Sequence, residues 1–350
     1  MPNVDGWKAF TDYMCSTLTE EMQALLENNM GTSCLLVTGG TGTGKSSFIK
    51  CITTKDVYVG STLESGTKSI SLVPSVIHEK LYMFLDMPGF NADDLDDWET
   101  FSRLMNAMAV LKNYVVFRGV IYVDPMDAPR ASPAARNMPT WLSRFCGIEY
   151  MRNVTVVTTK WDLLSADGIE QRLERVGYWK EHPLYHDFVN YESVVYHHGL
   201  VQENGNNTTL SERKQNEERK LGAENMIAER YRDPSSVQLQ VDIEIENGAS
   251  IYSTEAGRWL KRFEPRSGSP ESSTSSQNDG QRGPGESSGF WAGIRAKDCV
   301  DLFVNAAKVY RSMTDPVTFS AGPSFDSFES TGVFEDVPFF GESSSFDGFE

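Results

Sequence analysis

The chain has no run of about 18 or more apolar residues, so no stretch of it reads as a membrane-spanning helix. Its amino terminus lacks a basic stretch followed by an apolar core, so a secretory leader is not expected. The five cysteines (Cys15, Cys34, Cys51, Cys146 and Cys299) are too widely spaced for a Cys-x-x-Cys pair, which removes the local signal for zinc chelation or disulfide exchange. Free thiols in a reducing compartment follow, and the cytoplasm is the expected location. The sequons at Asn153, Asn206 and Asn207 carry little weight there. Basic side chains are scarce: 32 Lys and Arg face 49 Asp and Glu, a formal charge of −17. Without clustered cations to meet phosphates, general nucleic-acid binding is excluded from the expected functions, and the acidity serves solubility.

What is present is ordinary globular material. A hydrophobic content of 39% over 350 residues can bury one large core or two small ones. Residues 1–30 carry Trp7, Phe10, Met14, Leu18, Met22 and Leu25 at spacings of three and four, which predicts an amphipathic helix. Residues 33–200 alternate short apolar runs with helical segments, as in a mainly parallel sheet covered on both faces. Strands are expected at Cys34–Thr38, Ser69–Ile77, Leu81–Leu85, Gly119–Val123, Val154–Thr158 and Ser193–Tyr196, with helices starting near Gly44, Asp94, Pro133 and Gly168.

Residues 201–264 read as a mostly helical extension. Within it, 209–231 predicts a largely solvated helix with Leu210, Leu221, Met226 and Ile227 on a narrow apolar face, and a helix is expected from Thr254 to Phe263. Val237–Ile245 alternates apolar and polar residues like a half-buried strand, although propensity leaves helix open. Residues 265–289 are a Ser/Gly/Pro-rich flexible linker, and 290–313 form an amphipathic helix expected to pack on the preceding domain rather than lie on a membrane. Residues 314–350 form a disordered acidic tail in which Phe325-Asp-Ser-Phe-Glu329 is echoed by Phe346-Asp-Gly-Phe-Glu350. Phe in acidic disorder suits docking into an apolar groove of an unknown protein partner; a plain solubilising extension is the alternative.

The chemistry is concentrated at three motifs. Cys34–Thr38 leads into Gly39-Gly40-Thr41-Gly42-Thr43-Gly44-Lys45-Ser46-Ser47, the strand, glycine loop and helix order of a P-loop. Free backbone N–H groups and a helix amino end would converge there on phosphate oxygens. Lys45 supplies a charge to the β and γ phosphates, and the Ser46 hydroxyl a ligand to Mg²⁺. The second motif, Asp86-Met87-Pro88-Gly89, stands where the run Leu81–Leu85 stops. Asp86 can reach the metal through water, and Gly89 has no Cβ to keep its amide from the γ-phosphate. Between them lies a polar loop, 55–68, holding Thr62, Ser65 and Thr67. Thr67 is the chosen metal ligand of a switch that closes only on a triphosphate, and a mobile surface loop is the alternative. The third motif, Thr159-Lys160-Trp161-Asp162, follows a strand. The Asp162 carboxylate can accept from the N1–H and exocyclic amine of guanine while the Lys160 stem lies across the ring. Adenine offers no such donor pair, which speaks against an ATPase or nucleotide kinase.

In this order and spacing the motifs resemble those of TRAFAC-class GTPases, and more closely the septin-like branch that includes AIG1-type and fungal G-domain proteins. Gly60-Ser-Thr-Leu-Glu-Ser-Gly-Thr67 resembles the switch region of that branch, and Thr254-Glu-Ala-Gly-Arg258 a segment after its G domain. The resemblance covers about residues 33 to 263. It implies a three-layer α/β P-loop fold, GTP and GDP as ligands with Mg²⁺, slow hydrolysis as a molecular switch, and a GTP-dependent homodimer formed through the nucleotide faces. The alternative is a nucleotide-gated scaffold with negligible hydrolysis. Three departures stand out. Thr159 replaces the commoner Asn, which should weaken the support of the base loop. Phe90 stands where many GTPases place a water-orienting Gln. No Ser-Ala-Lys base motif appears near Ser193–His198; a surface position is expected for His197 and His198, with a place in the base loop as the alternative.

Overall fold

The computed structural model describes residues 24, 26–53, 70–90, 96–127, 133–182, 185–203, 205–232 and 237–263. The switch loop with Thr67, the linker, the 290–313 segment and the acidic tail lie outside the described residues, as does most of the amino-terminal helix.

The chain builds a six-stranded sheet in the order β2-β3-β1-β4-β5-β6. The strands are β1 (Thr32–Thr38), β2 (Ser71–Ile77), β3 (Lys80–Asp86), β4 (Val115–Pro125), β5 (Val154–Thr159) and β6 (Val194–His197). All neighbours run parallel except β2, which pairs antiparallel with β3 at one edge. Pro74 is tolerated in β2 because an edge strand need not donate every amide. The β2–β3 hairpin turns in two residues, His78 and Glu79, both at positive φ, the backbone that matches the twist of paired strands.

Strand side chains alternate between two cores. Cys34, Leu36, Met83, Leu85, Val120, Tyr122, Val154 and Val156 join one apolar cluster, while Leu35, Val37, Phe84, Ile121, Val123 and Val157 join the other. Both faces are therefore covered, which is why the central strands read as unbroken apolar runs. On the second face lie α1 (Lys45–Ile52), through Phe48, Ile49 and Ile52, and α6 (Asn216–Arg230), through Ala223 and Ile227. The first face is packed by α2 (Asp97–Leu111), α3 (Pro133–Cys146), α7 (Gln240–Glu246) and α8 (Glu255–Leu260). The short helices α4 (Ala166–Gly177) and α5 (His186–Asn190) add Ile169 and Phe188 to it. The result is a three-layer α/β fold of the P-loop NTPase kind. Asp96 caps α2 by accepting from the Trp98 amide, and Thr254 caps α8 by accepting from the Gly257 amide.

Gly119 on β4 lets α6 come down onto the sheet. A Cβ there would lie within 2.7 Å of the Asn153 carbonyl and would overlap the Tyr231 ring, whose hydroxyl sits 2.7 Å from Thr155 Oγ1. The segment after residue 200 thus shares the core of the sheet.

Three expectations are corrected. Val237–Ile245 is not a strand: 240–246 is helical, with Val241 and Ile245 buried one turn apart and Ile243, 37% exposed, breaking the alternation. Packing of α7 against α3 overrides the period-two pattern. The 209–231 helix starts only at Asn216, and Leu221 faces outward at 56% exposure. Ahead of it stands a hairpin of β7 (Leu200–Glu203) and β8 (Asn206–Thr209), too polar and exposed to announce itself by periodicity. His198 is not a surface residue, and His197 is half-buried. His198 is 3% exposed, edge-on to Phe48, and burial, aided by the nearby Arg219 charge, pushes its pKa down to about 3. His197 lies 2.7 Å through Nδ1 from Thr158 Oγ1, with its pKa lowered to about 4 by burial. No helix among the described residues is long and apolar enough to cross a membrane.

Candidate functional site

The carboxyl ends of β1, β3 and β5 lie at one end of the sheet, where the strand order reverses about β1, the position at which open α/β sheets take ligands in a crevice. β1 runs into the glycine loop, and α1 leaves it with Gly44 as its cap at φ +99. Gly39, at φ +145, is held so close to β4 that a Cβ would lie 2.4 Å from the Val123 carbonyl oxygen, and only glycine fits. Gly42 is also left-handed, at φ +72, and open to space. Thr43 closes the loop on itself, its hydroxyl donating to the Gly40 carbonyl at 3.0 Å.

Lys45 folds back under this loop. Its Nζ donates to the carbonyls of Gly40 (2.8 Å) and Gly39 (3.2 Å), and the side chain is 5% exposed. Burial lowers its pKa to about 8, with the charge of Asp86 acting in the opposite sense. Asp86, at the end of β3, is fully buried, and its Oδ2 accepts from the Ser46 hydroxyl at 3.3 Å. Two of the three predicted metal ligands, 40 residues apart, are thereby brought together, while Thr67 lies outside the described residues. Both are hard oxygen donors, which fits Mg²⁺. Among the described residues no group of three or more His, Cys, Asp and Glu side chains could hold a metal by itself. A cation at Ser46 and Asp86 would complete its shell with phosphate oxygens and water.

The chain after Asp86 runs beside the glycine loop. The Phe90 amide donates to the Gly39 carbonyl at 3.3 Å, and the Thr41 amide donates to the Phe90 carbonyl at 3.1 Å. Gly89 is pressed so tightly on Thr41 that a Cβ would lie 2.5 Å from its Cα. The Phe90 ring points away into the core, 4.5 Å from Trp141 between centroids.

The third motif, Thr159 to Asp162, is built on Trp161. This side chain is fully buried and donates from Nε1 to Thr158 Oγ1 at 2.9 Å. With Trp161 inserted, Lys160 takes a left-handed backbone (φ +63), and both Lys160 and Asp162 stay partly exposed. Lys160 Nζ pairs with Asp127 at 3.2 Å, and Asp162 Oδ1 lies 3.7 Å from Arg219 Nη1. Thr159 does more than expected. Its buried hydroxyl donates to the Thr43 carbonyl at 2.6 Å and covers Gly44, so the end of β5 is bonded directly to the glycine loop. Thr in place of Asn still gives this segment a bond to the glycine loop through its hydroxyl. Asp127 and Arg219 were not legible as site residues, since each comes from an element with no local motif. Of the predicted set, Gly39 to Ser47, Asp86, Gly89, Thr159, Lys160 and Asp162 gather at this end of the sheet.

No family model matches the chain. A curated relative, a probable FAD-binding monooxygenase ltbD from Aspergillus luteorubrus, is 26% identical over 186 residues, covering 53% of this chain and 38% of the relative. The matched stretch is thus well under half the length of that protein. Among solved structures, Toc33 from Arabidopsis thaliana in complex with GDP and Mg²⁺ matches 63% of this chain and 98% of its own at 16% identity and a TM-score of 0.37. Its dimerization-deficient mutant R130A matches 64% and 98% at 17% identity and 0.39. Era from Aquifex aeolicus bound to GDP.AlF4⁻ matches 48% and 51% at 18% identity and 0.32.

Proposed function

We propose that this chain binds guanine nucleotides with Mg²⁺ and hydrolyses GTP slowly as a molecular switch of the septin-like, AIG1-resembling kind. The observation that supports the reading is the Thr159–Thr43 hydrogen bond, which ties the segment bearing Asp162 to the glycine loop. There the loop amides around Gly42, Thr43 and Gly44 and the Lys45 ammonium receive phosphate oxygens. Ser46 and Asp86 would hold Mg²⁺, which supplies positive charge to the phosphates when bound. Asp162 accepts from the guanine N1–H and amine, and Lys160 lies along the base.

The Phe90 ring is turned into the core and has no group to orient water. Turnover is therefore expected at the slow, unassisted end, about 10⁻⁴ to 10⁻² s⁻¹. The same feature favours the second reading, a nucleotide-gated scaffold that scarcely hydrolyses. Phosphate release from GTP by the native chain and by Lys45→Ala separates them: slow release that Lys45→Ala abolishes supports a GTPase, and equal background release from both supports the scaffold. The resemblance also brings a GTP-dependent homodimer. Light scattering that gives one mass with GDP and with a GTP analogue would remove that element.

The name of the curated relative raises FAD as a rival ligand. The loop Gly39-Gly40-Thr41-Gly42-Thr43-Gly44-Lys45-Ser46 does not contain the Gly-x-Gly-x-x-Gly phasing of a dinucleotide fold, and it delivers a lysine and a serine to the phosphate end instead.

A further inference from the structure

Arg219 stands out among the buried charges. It sits in the first turn of α6, 7% exposed, and donates from Nη1 to the Leu210 carbonyl at 2.9 Å. The carboxylate paired with it is Asp162, 3.7 Å away, an ion-pair distance rather than a hydrogen bond. A guanidinium withdrawn from water is costly unless it is paired, so the chain must have a use for placing this one here. Its surroundings are shaped around it. Gly199, at φ +81, leaves room that a side chain would fill, since a Cβ there would lie 2.8 Å from Nη1 and 2.9 Å from Cζ. Gly199 follows β6 and His198, the region in which no base-loop motif could be found in the sequence. Leu210, whose carbonyl anchors the guanidinium, is itself hydrogen-bonded through its amide to the Gly199 carbonyl at 2.8 Å.

We infer that Arg219 is a positioning residue for guanine recognition, holding the Asp162 carboxylate in the orientation that reads the base. The inference rests on the guanine-binding reading above and deepens it. Asp162 can rotate about its side-chain torsions, and a carboxylate free to turn to water would discriminate purines poorly. A fixed cation behind one oxygen limits that rotation. Because Arg219 belongs to α6, the segment after residue 200 becomes part of base selection and not merely a cover for the sheet. Partners that orient a metal-ligating side chain from behind change metal affinity by about 10-fold or more when removed, and an effect of that order is expected here.

The test is nucleotide discrimination on the full chain, by titration with GDP, IDP and ADP in Mg²⁺ for the native protein, Arg219→Gln, Arg219→Lys, Asp162→Ala and the Arg219→Gln/Asp162→Ala double variant. IDP lacks the exocyclic amine and reports the two-point contact directly. Arg219→Gln should reduce the GDP-to-IDP and GDP-to-ADP ratios about 10-fold with ADP affinity unchanged, Arg219→Lys should recover part of the loss, and the substitution should do nothing further to the ratios once Asp162 is alanine. Gly199→Ala, which displaces the guanidinium without removing its charge, serves as the second variant should Arg219→Gln fail to fold, and it should lower the same ratios. If Asp162→Ala collapses the ratios while neither Arg219→Gln nor Gly199→Ala moves them, the inference is overturned and the guanine reading stands. If Asp162→Ala itself leaves the ratios intact, the guanine reading has failed first. A uniform loss for all three nucleotides would assign Arg219 to structure alone and also overturn the inference.

Discussion

Replacing Thr159 by valine removes one hydroxyl and keeps the shape of the side chain. In the folded protein that hydroxyl is buried and donates at 2.6 Å to the Thr43 carbonyl, between residues 116 positions apart in sequence. Valine leaves the Thr43 carbonyl facing a methyl group inside the protein, and an orphaned buried acceptor costs about 1–3 kcal/mol. The first consequence is a drop in unfolding free energy of that size, read by urea denaturation of the nucleotide-free chain. The second concerns binding. Without the strut the loop from Gly39 to Gly44 can relax away from the crevice, and a nucleotide must restore its shape at the expense of affinity. A reorganisation of about 1 kcal/mol lowers GDP affinity roughly 5-fold. Thr159→Ser keeps the hydroxyl and should retain most of both quantities. Calorimetric titration of the three proteins checks the affinities. A valine variant matching the native chain in stability and in GDP affinity would refute the claim that this bond couples the two halves of the site.

Three further expectations follow. Lys45 loses its proton at about pH 8 in the free site, because burial disfavours the ammonium. Bound phosphate favours the charged form, so affinity should be full below pH 8 and fall by up to about tenfold per unit above it; an affinity that is flat from pH 7.5 to 9.5 would contradict this. Gly89→Ala would place a Cβ 2.5 Å from the Thr41 Cα, so the glycine loop must move; reduced GDP affinity by titration is expected, and native affinity would show that Gly89 and Thr41 part freely. Asp124 has its pKa raised to about 6 by burial, against the opposing hydrogen bond from the Tyr185 hydroxyl and the charge of Arg175. Its folded pKa lies above the unfolded value, so its contribution is present below about pH 4 and is lost as pH rises through 6, at most about 3 kcal/mol. Asp124→Asn should flatten the decline in stability over that window, and urea denaturation at pH 4, 5, 6 and 7 would show an unchanged slope if the carboxyl were not responsible.

The strands and the phosphate loop were legible because burial on both faces leaves no choice of residue type. Leu35 and Leu36 face opposite cores, so the run Cys34–Val37 had to be apolar throughout, and the glycines at 39 and 44 answer local backbone demands. Asp86 and Asp162 could be singled out as candidates because each stands at or just past the end of a strand, a local signal. What stayed hidden depends on distant partners. Val241 and Ile245 become helical neighbours only through packing on α3, the hairpin at 200–209 has no apolar face to detect, and His198 is buried because Phe48, 150 residues earlier, lies against it. Arg219 and Asp127 were missed for the same reason: a lone Arg or Asp acquires meaning only when folding sets it beside Asp162 or Lys160. Thr159 was found but undervalued, since sequence cannot show that a shorter side chain still reaches the Thr43 carbonyl.

The measurement that bears most directly on the account is calorimetric titration of the full chain with GTP, GDP and ATP, with and without Mg²⁺. GTP and GDP should bind at micromolar concentration or tighter, GTP more tightly with the metal, and ATP at least about 100-fold more weakly, as a site built on specific hydrogen bonds requires. Equal affinity for ATP and GTP, or no heat with either guanine nucleotide at micromolar protein, would contradict it.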